Sequence, residues 1–532
     1  MLRRAGSRRA ALALAAFAFA SAYAVQGPGM NQNAHFALVR ALAHGRATID
    51  EYRTETMDVS YVDGHYYAAK APGLAFVSLP AYAALRAAGL PPVGPQARPR
   101  SAGPTHAEIA SVWTLGLWGA LLPALGLLAL VRSIADDLEP GYGAAAAVTL
   151  GLATLVLPFS QLFFDHSLST FLGFAAFALL WRERRRRRLA AVAVAGVLAG
   201  YAVTTEYPLA IVAAALGIYC LIGRDRLRRG AAYAAGVAVG VAPLLAYDQW
   251  AFGSATHLSY ENAVASGGSS GHAVLGANAA GFFGVGVPSL HAAAELLLSS
   301  LGLLTLTPVV ACGAAGAVLL FRRGFRAESI LVGAIAVAFV TYNSGYVLPF
   351  GGGTPGPRFL LPILPFLAVP LALAYRAFPM VTAGLALASA ALMTLITATV
   401  AIHASDGHWD ERVRSDDFVS TLLSYAGVPR GAAIVPFFLA LVSAAMFAAS
   451  VTPLRRPAAK ETLAAAATVA AWAAIALGAP RVLSSSSLGR GGSAAITLAL
   501  AGCGALLAVL LHRADAKQHL APHAGRDAVG GS

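Results

Sequence analysis

The stretch Pro72-Gly-Leu-Ala-Phe-Val-Ser-Leu-Pro-Ala-Tyr-Ala-Ala-Leu-Arg-Ala-Ala-Gly89 decides how the rest of the chain is placed. It is an apolar block that starts at a proline and is interrupted by Pro80 and Arg86. Crossing a hydrocarbon core takes about 20 apolar residues, so this block reads as a helix lying in the membrane interface. With that reading, every later basic cluster falls on the side of the N-terminal Arg3, Arg4, Arg8 and Arg9. The clusters are the run Trp181-Arg-Glu-Arg-Arg-Arg-Arg-Arg188, then Arg224 to Arg229, then Arg322, Arg323 and Arg326, then Arg455, Arg456 and Lys460. If the block crossed instead, the five arginines at 184–188 would face outward, against the tendency of cytoplasmic loops to carry the positive charge.

Composition supports a membrane reading throughout. The 532 residues are 58% hydrophobic and 12% charged, with mean hydropathy +0.66. Soluble globular chains carry about 25% charged residues, so an ordinary soluble enzyme and a disordered chain are both excluded. The net charge of +13 sits in short clusters between apolar blocks, with no aromatic-interleaved basic surface. It therefore reports topology and not a nucleic-acid partner. Cys220, Cys312 and Cys503 lie in apolar blocks and read as packing residues.

The expected fold is all-α: a polytopic transmembrane bundle of about 14 spans with both termini cytoplasmic. The first block, about residues 10–26, serves as an uncleaved signal anchor. A main module covers 1–403, further helices with an outer loop cover 404–511, and a polar tail covers 512–532. Parity puts the longer polar segments 27–107, 161–166, 249–292, 349–358 and 403–431 in one compartment outside the cytoplasm. A chain that gathers its polar, acidic and aromatic loops on one face is expected to hold its site there.

The first of these loops is the richest. Residues 34–43 have helical period, with Gly45 as a stop. Asp63-Gly64 is a turn dipeptide flanked by Tyr61, Tyr66 and Tyr67. Asp50, Glu51, Asp58 and Asp63 supply carboxylates, and Lys70 stands just before the surface helix, where a cation suits a phosphate.

These residues resemble the GT-C superfamily, polytopic glycosyltransferases that use polyprenyl-phosphate-linked sugars. The resemblance is to the protein O-mannosyltransferase-like and lipid A aminoarabinose transferase-like families and their bacterial relatives. It rests on the order of a first span, a loop helix, an Asp-Gly-x-Tyr-Tyr turn and a Lys-x-Pro-Gly start to a surface helix. Further matches are Phe163-Phe-Asp-His-Ser-Leu-Ser169, Thr205-Glu-Tyr-Pro208, Tyr247-Asp-Gln-Trp-Ala-Phe-Gly-Ser254 and Gly351-Gly-Gly-Thr-Pro-Gly-Pro-Arg-Phe359, over about residues 10–375. One departure is clear. Where those families carry an Asp-Glu pair before the loop helix, this chain has Gln32 and Asn33, and an amide cannot accept a proton at neutral pH.

The resemblance implies an integral plasma-membrane enzyme of a bacterial cell envelope. It would move a sugar with inversion from a polyprenyl-phosphate donor to a hydroxyl of a glycan, lipid or protein acceptor. That reaction needs a carboxylate base opposite the leaving phosphate and cations on the phosphate. Asp58 is the first candidate base and Asp50 the second, with Asp165 and His166 as a further catalytic pair. Lys70 and Arg358 are assigned to the phosphate, Arg358 for its bidentate geometry. Asn33, Asp63, Tyr66, Tyr67 and Glu206 are candidate substrate contacts. Asp406, His408 and Asp410 have a spacing that a divalent metal accepts, but they read as a solvated loop, and no metal ligands are assigned. A transporter or lipid flippase, which would carry inverted repeats and charges at mid-membrane depth, and a non-catalytic scaffold are the alternatives.

Overall fold

A computed structural model describes residues 2–90, 93, 104–186, 188–222, 225–264, 285–346, 348–399, 401–402, 409–453 and 457–483. The structure is mostly helical, with short strands tying loops together. The decisive stretch forms helix α3, Gly73–Ala87. At 15 residues with Pro80 inside it, it is too short to cross. It packs instead against α2, Met30–Ala43, which precedes it in the same loop. Its first residue is glycine for a steric reason: a Cβ on Gly73 would lie 2.7 Å from the Thr204 carbonyl oxygen.

The main helices in chain order are α1 (Leu2–Tyr23), α2, α3, α4 (His106–Gly116), α5 (Leu122–Leu138), α6 (Gly143–Leu152), α7 (Val156–Phe159), α8 (His166–Arg186), α9 (Leu189–Thr205), α10 (Ala210–Cys220) and α11 (Arg226–Phe252). Later come Val309–Arg322, Arg326–Ser344, Pro379–Ala398, Val435–Val451 and Ala459–Leu483. Among the described residues, six helices are long and apolar enough to cross a membrane, or eight when two sharply bent pairs are each taken as one span. Shorter apolar helices, such as Leu189–Thr205, fall below that length. The apolar block at 494–511, Cys503 and the tail lie outside the described residues, as do residues 403–408 with Asp406 and His408.

Charge sorts to the two ends of the bundle. Helix α8 has Asp165 and His166 at its start and Arg182 to Arg185 near its end. Its 21 residues rise about 31 Å at 1.5 Å each, close to the thickness of a hydrocarbon core. At the arginine end, acidic residues brace the helices. Arg229 Nη2 lies 2.9 Å from Glu183 Oε2, and Arg323 Nη1 lies 2.6 Å from Glu139 Oε2. Arg184 pairs with Glu328, which also accepts a 2.7 Å bond from the Tyr219 hydroxyl.

Helices α9 and α11 pack backbone to backbone. Gly196 and Gly200 on one face Gly236 and Gly240 on the other. A Cβ on Gly236 would sit 2.1 Å from the Ala193 carbonyl oxygen, and one on Gly196 would sit 2.2 Å from that of Tyr233. Small residues at a spacing of four let membrane helices approach this closely, and close approach is what holds helices together where lipid removes the hydrophobic drive.

The first loop is a built structure. Strands β1 (Val59–Val62) and β2 (His65–Ala68) form a hairpin with Val62 opposite His65. The two-residue turn needs positive φ at both positions, which Asp63 (48°) and Gly64 (88°) supply. Strand β3 (Ala263–Val264) adds to the free edge of β1. Beneath the hairpin, Arg40 is fully buried. It pairs with Glu55, donates to the Val93 carbonyl at 3.2 Å, and lies 3.9 Å from the Tyr52 ring centroid. Breaking a buried pair strands the remaining charge, at a cost of about 3–5 kcal/mol. Glu55→Ala is therefore expected to lower the thermal stability of the detergent-solubilised protein by about that amount, whereas Glu51→Ala, whose Arg46 partner is 44% exposed, leaves the melting point nearly unchanged.

Candidate active site

The first loop, the start of α8, the end of α9 and the segment 351–359 bring their polar side chains to one end of the bundle. Asp58 and Lys70 meet: Lys70 Nζ is 2.9 Å from Asp58 Oδ2. The backbone holds both in place. Asp58 N–H donates to Thr56 Oγ1 at 3.0 Å, Thr56 Oγ1 donates to the Met30 carbonyl at 2.6 Å, and Ala69 N–H donates to the Asp58 carbonyl at 2.9 Å. The Lys70 carbonyl accepts from Ser259 Oγ at 3.0 Å, which ties the loop at 254–264 over the same corner. The side chain of Lys70 is 7% exposed and that of Asp58 is 30% exposed, so Asp58 is the carboxylate an entering molecule can reach.

Asp165, His166 and Glu206 form a second, deeper group in which all three side chains are buried. His166 Nδ1 lies 3.5 Å from Asp165 Oδ1 and 3.0 Å from Glu206 Oε1. Ser169, one turn along α8, donates to Glu206 Oε2 at 2.6 Å. The other Asp165 oxygen, Oδ2, is 3.7 Å from His35 Nε2 on α2. Burial, and then the Lys70 ammonium, hold the His35 imidazole well below its usual range, so the ring is neutral at pH 7. Burial pushes the Asp165 carboxyl up, against the opposing pull of His166. Lys70 and Arg358 both act on Asp165 and on His35, which places the two cations and the deeper group in one electrostatic neighbourhood.

Arg358 opens the helical turn Arg358–Ile363. Its guanidinium lies 5.6 Å from the Phe164 ring centroid and 5.1 Å from that of Phe359. Gly351 makes room for it, since a Cβ there would stand 2.3 Å from Arg358 Nε. Phe359 also meets His166 and Tyr346 edge-on, so the same ring bounds the cation and the buried histidine.

The remaining sequence candidates sit elsewhere or do other work. Asp50 accepts from the Tyr66 N–H at 2.6 Å and lies 2.9 Å from His65 Nδ1 on an exposed edge. It staples the hairpin to the loop. Asp63 serves its turn. Tyr66 lies tilted against Tyr61 at 4.9 Å between ring centroids, and Tyr67 packs 4.8 Å from the Phe252 ring at the end of α11. The two amides at the departure position tie the loop down: Gln32 Oε1 accepts from the Gly29 N–H at 2.7 Å, capping α2, and Asn33 Nδ2 donates to the Glu55 carbonyl at 3.0 Å. His35, absent from the sequence candidates, is the residue that links α2 to Asp165. Its only sequence signal was its place on the helix already read at 34–43.

An apolar groove runs along the outer side of α3, between α1, α4 and the turn before α5. Its walls include Phe19, Pro80, Ala84, Leu85, Trp118 and Leu122. Helix α3 thus joins the polar corner, just before its first residue, to a groove with apolar walls.

No protein-family model and no curated protein matches the sequence. The chain is similar to the crystal structure of ArnT from Cupriavidus metallidurans in the apo state, at 13% identity and TM-score 0.45, covering 87% of this chain and 79% of that one. It is also similar to that protein bound to undecaprenyl phosphate, at 13% identity and TM-score 0.42, with the same coverage.

Proposed function

We propose that the protein is an integral membrane glycosyltransferase that takes a sugar from a polyprenyl-phosphate carrier and transfers it, with inversion, to a hydroxyl acceptor on the extracytoplasmic side. The observation that carries this reading is the corner itself. One reachable carboxylate, Asp58, and two cationic side chains, Lys70 and Arg358, converge at one end of an apolar bundle. An apolar groove lies against the second half of α3, from Pro80 to Leu85, about 10 Å along the helix from that corner. A lipid phosphate asks for this combination: cations for the head and an apolar wall for the tail.

In this mechanism Arg358 and Lys70 hold the donor phosphate and stabilise the charge it gains as the glycosidic bond breaks. Lys70 holds Asp58 as an ion pair before the donor arrives. When the phosphate enters, Lys70 turns to it and frees Asp58 to take the proton of the acceptor hydroxyl. The oxygen of that hydroxyl attacks the anomeric carbon opposite the phosphate, and the polyprenyl phosphate leaves. The wall of Phe164 and Phe359 beside Arg358 keeps water from the leaving oxygen. The basic clusters at the far end of the bundle support an outward-facing corner, because positive loops stay in the cytoplasm.

The test of the phosphate site is direct. Binding of polyprenyl phosphate to the purified full chain is expected to weaken 10–100-fold in Arg358→Gln and in Lys70→Gln, the range of one lost charge-assisted hydrogen bond. Asp50→Asn serves as a control and binds as the wild type does. Equal binding by all three variants sinks the assignment.

A further inference from the structure

We propose that Asp165, His166 and Glu206 form a three-ligand site for a divalent cation of the zinc class. Three atoms of this group face each other, and His166 Nε2 is also buried without a hydrogen-bond partner. Glu206 Oε2 accepts from Ser169, and Asp165 Oδ2 faces His35 Nε2. Asp165 Oδ1, His166 Nδ1 and Glu206 Oε1 are buried without a hydrogen-bond partner, and one ligand atom from each residue lies within 4.8 Å of the others. Among the described residues, no other group of three metal-ligating side chains comes together in this way.

The spacing fits a metal. Ligands about 2.0 Å from a tetrahedral zinc stand about 3.3 Å apart; here Nδ1 is 3.5 Å from Oδ1 and 3.0 Å from Oε1. One imidazole nitrogen with two carboxylate oxygens is a borderline donor set that suits zinc over magnesium or calcium, which prefer all-oxygen shells. Three protein ligands also leave a position open, as zinc sites that bind a substrate do. An outer contact orients one ligand: Ser169 donates to Glu206 Oε2, while His35 Nε2 stands 3.7 Å from Asp165 Oδ2. The rings of Phe159, Phe164 and Phe359 surround the His166 ring and keep it dry.

Charge points the same way. Asp58, Asp165 and Glu206 set three carboxylates against the cations of Lys70 and Arg358. Two carboxylates buried against one imidazole need positive charge nearby, and a divalent ion supplies it at the three orphaned atoms. The inference stands on these residues alone and holds whether or not the chain transfers a sugar.

Equilibrium binding to the chelator-treated full chain in detergent tests it. Zinc is expected to bind at about one equivalent, and Co2+ to give the visible bands of a low-coordinate site. Glu206→Gln and His166→Gln should each lose the bands and weaken zinc binding at least 100-fold, while Asp50→Asn keeps both. Ser169→Ala, which leaves all ligands in place, should weaken binding about 10-fold. Absence of zinc binding by a wild type that melts cooperatively overturns the proposal. So does cobalt binding that the ligand variants retain; in that case the group shares a proton and holds no metal.

Discussion

Asp58→Asn is expected to reduce the transfer rate by 10^2 to 10^4, the usual contribution of a positioned general base, and to leave donor binding nearly intact. The variant keeps the size of the side chain and the backbone bonds at Asp58 N–H and carbonyl, so the loop stays folded. It removes the ability to take a proton and the charge that pairs with Lys70. The loss should appear in kcat with little change in KM for the donor, since Asp58 acts on the acceptor. Asp50→Asn is the matched comparison: it lies in the same loop but bonds the hairpin on an exposed edge, and its turnover should stay within about twofold of wild type. A tenfold or greater loss in Asp50→Asn together with wild-type rates in Asp58→Asn would reverse the assignment.

Gly236→Leu is expected to abolish recovery of folded protein. A Cβ at Gly236 falls 2.1 Å from the Ala193 carbonyl oxygen and 2.9 Å from the Val197 nitrogen. Both are backbone atoms of a packed helix, so the helices must separate to admit any side chain. Separating α9 from α11 gives up the close contact that joins them, and α9 ends at Glu206. Even Gly236→Ala should cost about 2–3 kcal/mol, in the range of forced overpacking. Gly333→Ala is the control: it sits inside the helix Arg326–Ser344 with nothing near its added methyl, and it should be neutral or stabilising, because alanine favours helix over glycine. Monodispersity by size-exclusion chromatography and thermal unfolding in detergent separate the two.

Much of the framework is legible in the sequence because it depends on local rules. The short block at 72–89 reads as a surface helix because its length and prolines forbid a crossing, and α3 has those dimensions. Asp63-Gly64 reads as a turn because positive φ has few tolerant residues, and the hairpin closes there. Lys70 and Asp58 are each legible singly; that they touch depends on the hairpin returning the chain by twelve residues, which spacing alone does not show. Asp165, His166 and Glu206 come together because α8 and α9 run antiparallel, so the start of one lies beside the end of the other. A histidine on an apolar helix face, such as His35, has no partner legible in the sequence until the neighbouring helix brings a carboxylate to it. The glycine pairs at 196 and 200 and at 236 and 240 carry a recognisable spacing, but only the fold shows that they face each other. The amides Gln32 and Asn33 read as a departure from a catalytic pair; in the structure they cap α2 and anchor it to the Glu55 loop.

The central claim is that this corner breaks the bond between a sugar and a lipid phosphate. The most direct measurement follows a polyprenyl-phosphate donor labelled in its sugar, incubated with membranes containing the wild-type chain and with matched membranes containing Asp58→Asn. The account predicts that label leaves the lipid in the wild-type membranes, that free polyprenyl phosphate accumulates in equal amount, and that both fall at least 100-fold in the variant. If the lipid phosphate binds normally while a panel of labelled donors stays intact, or moves across the membrane with its sugar still attached, the account is contradicted, and carriage of the lipid takes the place of transfer.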